Sequence, residues 1–116
     1  MLYSLNTVYP VSLNPAGCSV YLHGETYQLT QQEYLLFDQL WQSALDARRK
    51  GTPVRAVSRA ELLRTAWGSA AEYATRTVDV HVQRLRAKLG NDLITTVYRQ
   101  GYCINPAALN RLAIAG

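Results

Sequence analysis

The spacing of hydrophobic positions changes along this chain and divides it into elements. In residues 8–11, 18–22 and 26–29, apolar, β-branched and aromatic side chains cluster or alternate with polar ones, as in Val20-Tyr21-Leu22 and Tyr27-Gln28-Leu29. That pattern predicts strands covered on one face. Asn14-Pro15-Ala16-Gly17 and His23-Gly24-Glu25 break it as turns. A sheet of short antiparallel strands is expected, with residues 2–5 the least defined. From Thr30 the period lengthens, and Tyr34, Phe37, Leu40, Trp41, Ala44 and Leu45 share one helix face. Thr30 and Glu33 have the spacing of a capping box, in which each side chain satisfies the other residue's amide. Arg48, Arg49 and Lys50 suit the negative end of the helix dipole, and Gly51 and Pro53 stop the helix.

Residues 54–57 read as a short strand. Ser58 with Glu61 predicts a second capping box, opening a helix whose apolar face is Leu62, Leu63, Ala66 and Trp67 and which ends at Gly68. A connector of small residues, 69–75, leads to a third helix over 76–89, stopped by Gly90-Asn91. Residues 93–99 and 102–104 are β-rich, and Gln100-Gly101 between them predicts a hairpin in which glycine takes positive φ. Asn105 as N-cap and Pro106 at the first helical position predict a short helix in the 106–116 tail. The expected fold is α+β: an N-terminal antiparallel β-sheet, a three-helix core and a C-terminal β-hairpin wing. This is a winged helix-turn-helix.

Length and composition fit one domain over 1–116, with its core at about 18–105. An apolar content of 48% is enough for a core and argues against disorder. No apolar run is long enough to span a membrane, and residues 1–10 lack the features of a secretory signal. Cys18 and Cys103 do not make a disulfide framework, so a cytoplasmic location is expected. Charge changes the picture more. The net charge is only +4, yet residues 1–45 hold no Lys or Arg, whereas 48–99 hold eleven of the twelve cations and a local balance of +7. Such segregation attracts polyanions.

The third helix concentrates the candidate chemistry. At about 100° per residue, Val78, Val82, Leu85 and Leu89 form a buried stripe, beside a stripe of Thr77, His81, Arg84 and Lys88. Opposite the core lie Arg76, Val80, Gln83 and Ala87. A major groove admits one helix, and its base edges match these groups: Arg84 for guanine O6/N7, Gln83 for adenine N6/N7, Val80 for a thymine methyl. Arg76 and Thr77, at the helix start, suit phosphate. For Arg86 the alternatives are DNA or an internal salt bridge with Asp79; for His81, DNA or a structural role.

Four stretches resemble the OmpR/PhoB-type effector domain of bacterial response regulators. They are Leu29-Thr30-x-x-Glu33; Ser58-Arg59-x-Glu61-Leu62-Leu63 with Ala66-Trp67-Gly68; the run from Arg76-Thr77-Val78-Asp79 through Arg84-Leu85-Arg86-x-Lys88-Leu89; and Thr95-Thr96-Val97 with Gly101-Tyr102. The resemblance implies a four-stranded N-terminal sheet and sequence-specific binding of double-stranded DNA, commonly by two protomers on tandem half-sites. It places Arg76, Thr77, Val80, His81, Arg84 and Arg86 toward DNA, and Thr96 with the wing tip toward backbone or minor groove. It also implies that the 69–75 loop meets RNA polymerase in activators. The sequence departs from the family at Tyr98 and Arg99, where an Arg or Trp followed by Gly is usual, so that the minor-groove contact has shifted to Arg99 or been lost. Gln83 replaces a frequent cation, and residues 45–53 are longer than usual. The sequence holds no receiver domain ahead of the effector region, as expected of either an excised fragment or a stand-alone regulator; without the phosphoacceptor aspartate, direct control of this chain by phosphorylation is not expected.

The expected activity is transcriptional regulation through DNA, with Gln83, Lys88 and Arg99 joining the resemblance-derived contacts. The alternative is a winged-helix protein-interaction module that has lost DNA binding. An enzyme is not expected: there is no phosphate-binding glycine loop, no His-Glu-x-x-His and no nucleophile–base set. Nor do Cys18, His23, His81 and Cys103 have a zinc-site spacing, so neither metal nor cofactor is expected.

Overall fold

The computed structural model describes residues 9–68 and 75–114. Strands β1 (Tyr9–Asn14), β2 (Ser19–Leu22) and β3 (Glu25–Gln28) form an antiparallel meander. Its register places Leu13 against Val20 and Val20 against Tyr27. Val11, Val20 and Leu22 are buried, while Ser12 and Tyr21 face outward, as alternation requires. Residues 2–5 lie outside the described part of the chain.

Helix α1 (Gln31–Lys50) starts at the predicted capping box with both halves formed: the Thr30 amide donates to Glu33 Oε1 at 2.9 Å, and the Glu33 amide to Thr30 Oγ1 at 3.2 Å. It stops at Gly51, whose φ of 68° is left-handed. Its buried face, from Tyr34 to Ala47, packs against α2 (Arg59–Trp67), α3 (Thr75–Leu89) and the second wing strand, β5 (Gly101–Ile104), which pairs antiparallel with β4 (Ile94–Val97). Val78, Val82, Leu85 and Leu89 of α3 join the same core. No helix among the described residues is long and apolar enough to cross a membrane.

Four expectations need correction. Residues 54–57 do not form a strand: only Val57 pairs, in an isolated bridge to Tyr102, because the chain turns into α2 one residue later. The α2 cap is half a box. Ser58 Oγ accepts the Glu61 amide at 3.1 Å, but the Glu61 carboxylate is drawn to Arg55, 3.5 Å away. The wing turns earlier than expected, at residues 97–100, closed by the Gln100 amide on the Val97 carbonyl. Its left-handed residue is Arg99, with φ of 61°, while Gly101 already belongs to β5. Finally, the tail is more than a short helix. After α4 (Pro106–Leu109), β6 (Leu112–Ile114) returns and pairs parallel with β1. The N-terminal sheet thus has four strands in the order β3-β2-β1-β6, and its fourth strand comes from the end of the chain.

Candidate nucleic-acid interface

Helix α3 is amphipathic, and its two polar flanks behave differently. Outward lie Arg76, Val80, Gln83, Arg84 and Ala87, all exposed. Val80 is 44% exposed, one of few large apolar side chains in that position. Arg76, Val80 and Arg84 follow one another at four-residue intervals, on one ridge of the helix. Arg76, Gln83 and Arg84 make no hydrogen bond or ion pair among the described residues. The ridge therefore presents two guanidinium groups around an apolar spot, with an amide beside them.

The inward flank is engaged. Lys88 Nζ lies 2.6 Å from Glu33 Oε1, and this carboxylate is buried, 2% exposed. The same carboxylate closes the α1 capping box, so one acid joins the end of α3 to the start of α1. Burial would raise the Glu33 carboxyl, but hydrogen bonds from Lys88 and the Thr30 amide, with the Lys88 charge, hold it below the ordinary glutamate range. Asp79 Oδ1 accepts from Arg59 Nε at 2.6 Å and from the Tyr102 hydroxyl at 2.5 Å. Burial opposes ionisation of Asp79 too. The bonds from Tyr102 and Arg59, together with the charges of Arg59 and Arg76, outweigh it and lower the carboxyl. Arg86 does not pair with Asp79: its guanidinium donates to the Ile94 carbonyl at 2.9 and 3.2 Å and to Thr96 Oγ1 at 2.8 Å.

The wing is seated by a close backbone approach. Val57 and Tyr102 exchange amide–carbonyl hydrogen bonds of 2.7 and 3.0 Å. A Cβ on Gly101 would stand 2.0 Å from the Val57 carbonyl oxygen. Only glycine fits there. At the wing tip Tyr98 is 78% exposed, and the Arg99 guanidinium lies over its ring, 5.1 Å from the centroid.

The sequence-predicted residues thus separate by environment. Arg76, Val80, Gln83 and Arg84 share the outward face, with Lys88 also exposed but tied to Glu33. Thr77 and His81 are half-buried: His81 Nδ1 is 2.9 Å from the Thr77 carbonyl, and its ring meets Trp67 edge-on at 4.8 Å. Thr96 and Arg99 are exposed on the wing, with the Thr96 hydroxyl oxygen accepting from Arg86. The connector residues 69–74 lie outside the described chain. Sequence reading missed Arg59 and Tyr102 as partners of Asp79. Nothing in the spacing pointed to a contact between residues 20 and 23 positions apart.

A family model described as "Transcriptional regulatory protein, C terminal" matches residues 24–104. The response regulator protein PmrA of Pseudomonas aeruginosa is 33% identical over 96 residues, which are 83% of this chain and 39% of PmrA. The probable transcriptional regulator ycf27 of Porphyridium aerugineum is 41% identical over 90 residues, 72% of this chain and 34% of that protein. The chain therefore spans well under half the length of these relatives. Among solved structures, the DNA-binding domain of CpxR from E. coli superposes with a TM-score of 0.66 at 27% identity, covering 87% of this chain and 95% of that one. The AdeR DNA-binding domain, solved in complex with an intercistronic region, gives 0.64 at 26% identity over 82% and 93% of the two chains. The fold, the motif-bearing α3 and a match over most of the chain agree: this protein belongs to the C-terminal transcriptional regulatory protein family, the OmpR/PhoB-type winged-helix effector domains.

Proposed function

We propose that the chain binds double-stranded DNA sequence-specifically and regulates transcription, with α3 in the major groove and the β4–β5 wing on adjacent backbone or minor groove. The observation that carries this reading is the outward ridge of α3, whose cations and amide make no hydrogen bond or ion pair among the described residues, while Asp79, Arg86 and Lys88 of the same helix are anchored. Arg84 suits the guanine edge, Gln83 adenine and Val80 a thymine methyl. Arg76 and Thr77, in the first turn, suit phosphate, where the helix dipole assists. His81, Thr96 and Arg99 lie along the flanking backbone. Arg86 and Lys88 serve the interface chiefly by holding it in shape.

Binding by two protomers on tandem half-sites and contact of the 69–75 loop with RNA polymerase are the finer parts of the same proposal. A duplex of mixed sequence, titrated at two salt concentrations, tests its basis. Affinity should fall steeply with salt, the logarithmic slope approaching about −0.9 for each phosphate contacted. Salt-independent binding, or none, would instead indicate a protein-interaction module.

A further inference from the structure

The described residues hold several features outside the outward ridge. They include an exposed basic end on α1, a cleft between His23, Asp92 and Arg111, and a cluster of polar groups where α2, α3 and the wing meet. The last is the most fully built. Tyr102 stands in β5, directly opposite Thr96 in β4. Its hydroxyl reaches Asp79 of α3, and the guanidiniums of Arg59 from α2 and Arg86 from α3 both lie over its ring, 5.0 and 5.6 Å from the centroid. Arg59 also bonds Asp79, and Arg86 also bonds Thr96 and the Ile94 carbonyl. Every one of these contacts crosses from one element to another. Together they link α3, α2 and both wing strands.

We propose that Asp79 and Tyr102 are positioning residues for DNA recognition: they lock the wing to α3, so that wing and helix engage one duplex as a single rigid unit. The inference rests on the DNA-binding reading above. Its physical basis is geometric. Among the described residues the other hydrogen bonds from α3 to the β-hairpin come from Arg86, whereas the Tyr102 hydroxyl fixes β5 to a carboxylate one residue from Val80. The ring is buried and its phenol is held above the ordinary tyrosine range, first by burial and then by Asp79. The hydroxyl therefore stays a donor at working pH, and Asp79 stays an acceptor. A locked wing adds its backbone contacts without an ordering cost at binding; an unlocked one must be ordered each time.

The test is a double-mutant cycle in DNA binding between Tyr102→Phe, which keeps the ring, and Arg99→Ala at the wing tip. With the lock intact, Arg99→Ala should weaken binding about ten-fold; in the Tyr102→Phe background it should weaken it only about three-fold or less. Thermal unfolding of Tyr102→Phe, followed in parallel, shows whether the fold survives. If it does not, Asp79→Asn, which keeps the shape of the acceptor, replaces it in the cycle. Independent, multiplying effects of the two substitutions would overturn the proposal while leaving DNA binding in place. An unsubstituted chain that binds no duplex would overturn the DNA-binding reading itself, and the lock with it.

Discussion

Helix α3 has two polar flanks of similar composition and opposite fate. Asp79, Arg86 and Lys88 point toward the rest of the molecule, and each is tied to a different element: α2 and β5, β4, and α1. Arg76, Gln83 and Arg84 point away and make no hydrogen bond or ion pair among the described residues, although the charge of Arg76 still acts on Asp79. The difference shows that counting cations overstates a binding surface. A guanidinium that already satisfies a carbonyl and a hydroxyl, as Arg86 does, chiefly holds the scaffold; one with no such bond among the described residues, as Arg84 beside the exposed Val80, is the better candidate for a ligand. The engaged flank also makes the other precise, since a helix that reads base edges must not rock on its core.

The largest expected effect breaks the comparison at its foundation. Gly101→Ala should unseat the wing, because its Cβ would overlap the Val57 carbonyl oxygen and its φ of 139° disfavours any L side chain. A loss of about 3 kcal/mol or more is expected in chemical denaturation, with DNA binding lost through misfolding. Lys88→Met should act on stability alone. Breaking a buried pair costs about 3–5 kcal/mol, and because Lys88 is itself 38% exposed about 2 kcal/mol is expected here. Binding by the folded fraction should change little.

Arg84→Ala should do the reverse, leaving the unfolding curve intact while costing about 1–3 kcal/mol of discrimination at one base position. Acid titration sharpens the contrast further. Both Glu33 and Asp79 have folded values below their ordinary ones. The stability they contribute is therefore complete above the unfolded values and disappears as pH falls through the folded ones. Glu33→Gln should flatten stability against pH below the ordinary glutamate value of 4.5, whereas Arg84→Ala should leave that profile unchanged. The smallest effect expected is that of Thr96→Val, which removes the acceptor for Arg86 and a candidate phosphate donor. Affinity should fall several-fold across all sequences, without altered preference.

Much of this arrangement was legible in the chain because it is local. The Thr30–Glu33 box, the Gly51 stop and the Val78-Val82-Leu85-Leu89 stripe depend on residues within one or two helical turns, and periodicity finds them. The outward ridge of α3 follows from the same stripe by exclusion. What sequence left hidden depends on long-range closure. The β6 strand joins the chain's last described residues to β1, and no pattern in so short a run signals a parallel partner. The Asp79 partners are set by how α2 and the wing dock on α3, so sequence reading offered the nearer cation, Arg86, and missed Arg59 and Tyr102. Gly101 was recognised for its positive φ, which it has at 139°, but was placed in the turn, which Arg99 makes; its closeness to the Val57 backbone was not legible.

The claim that the outward ridge of α3 enters the duplex is tested most directly by selecting bound duplexes from a random pool, in parallel with the unsubstituted chain and with Arg84→Ala. The account predicts a defined motif for the first and the same motif with one position relaxed for the second. Identical motifs from both, or no enrichment by the unsubstituted chain, would contradict it.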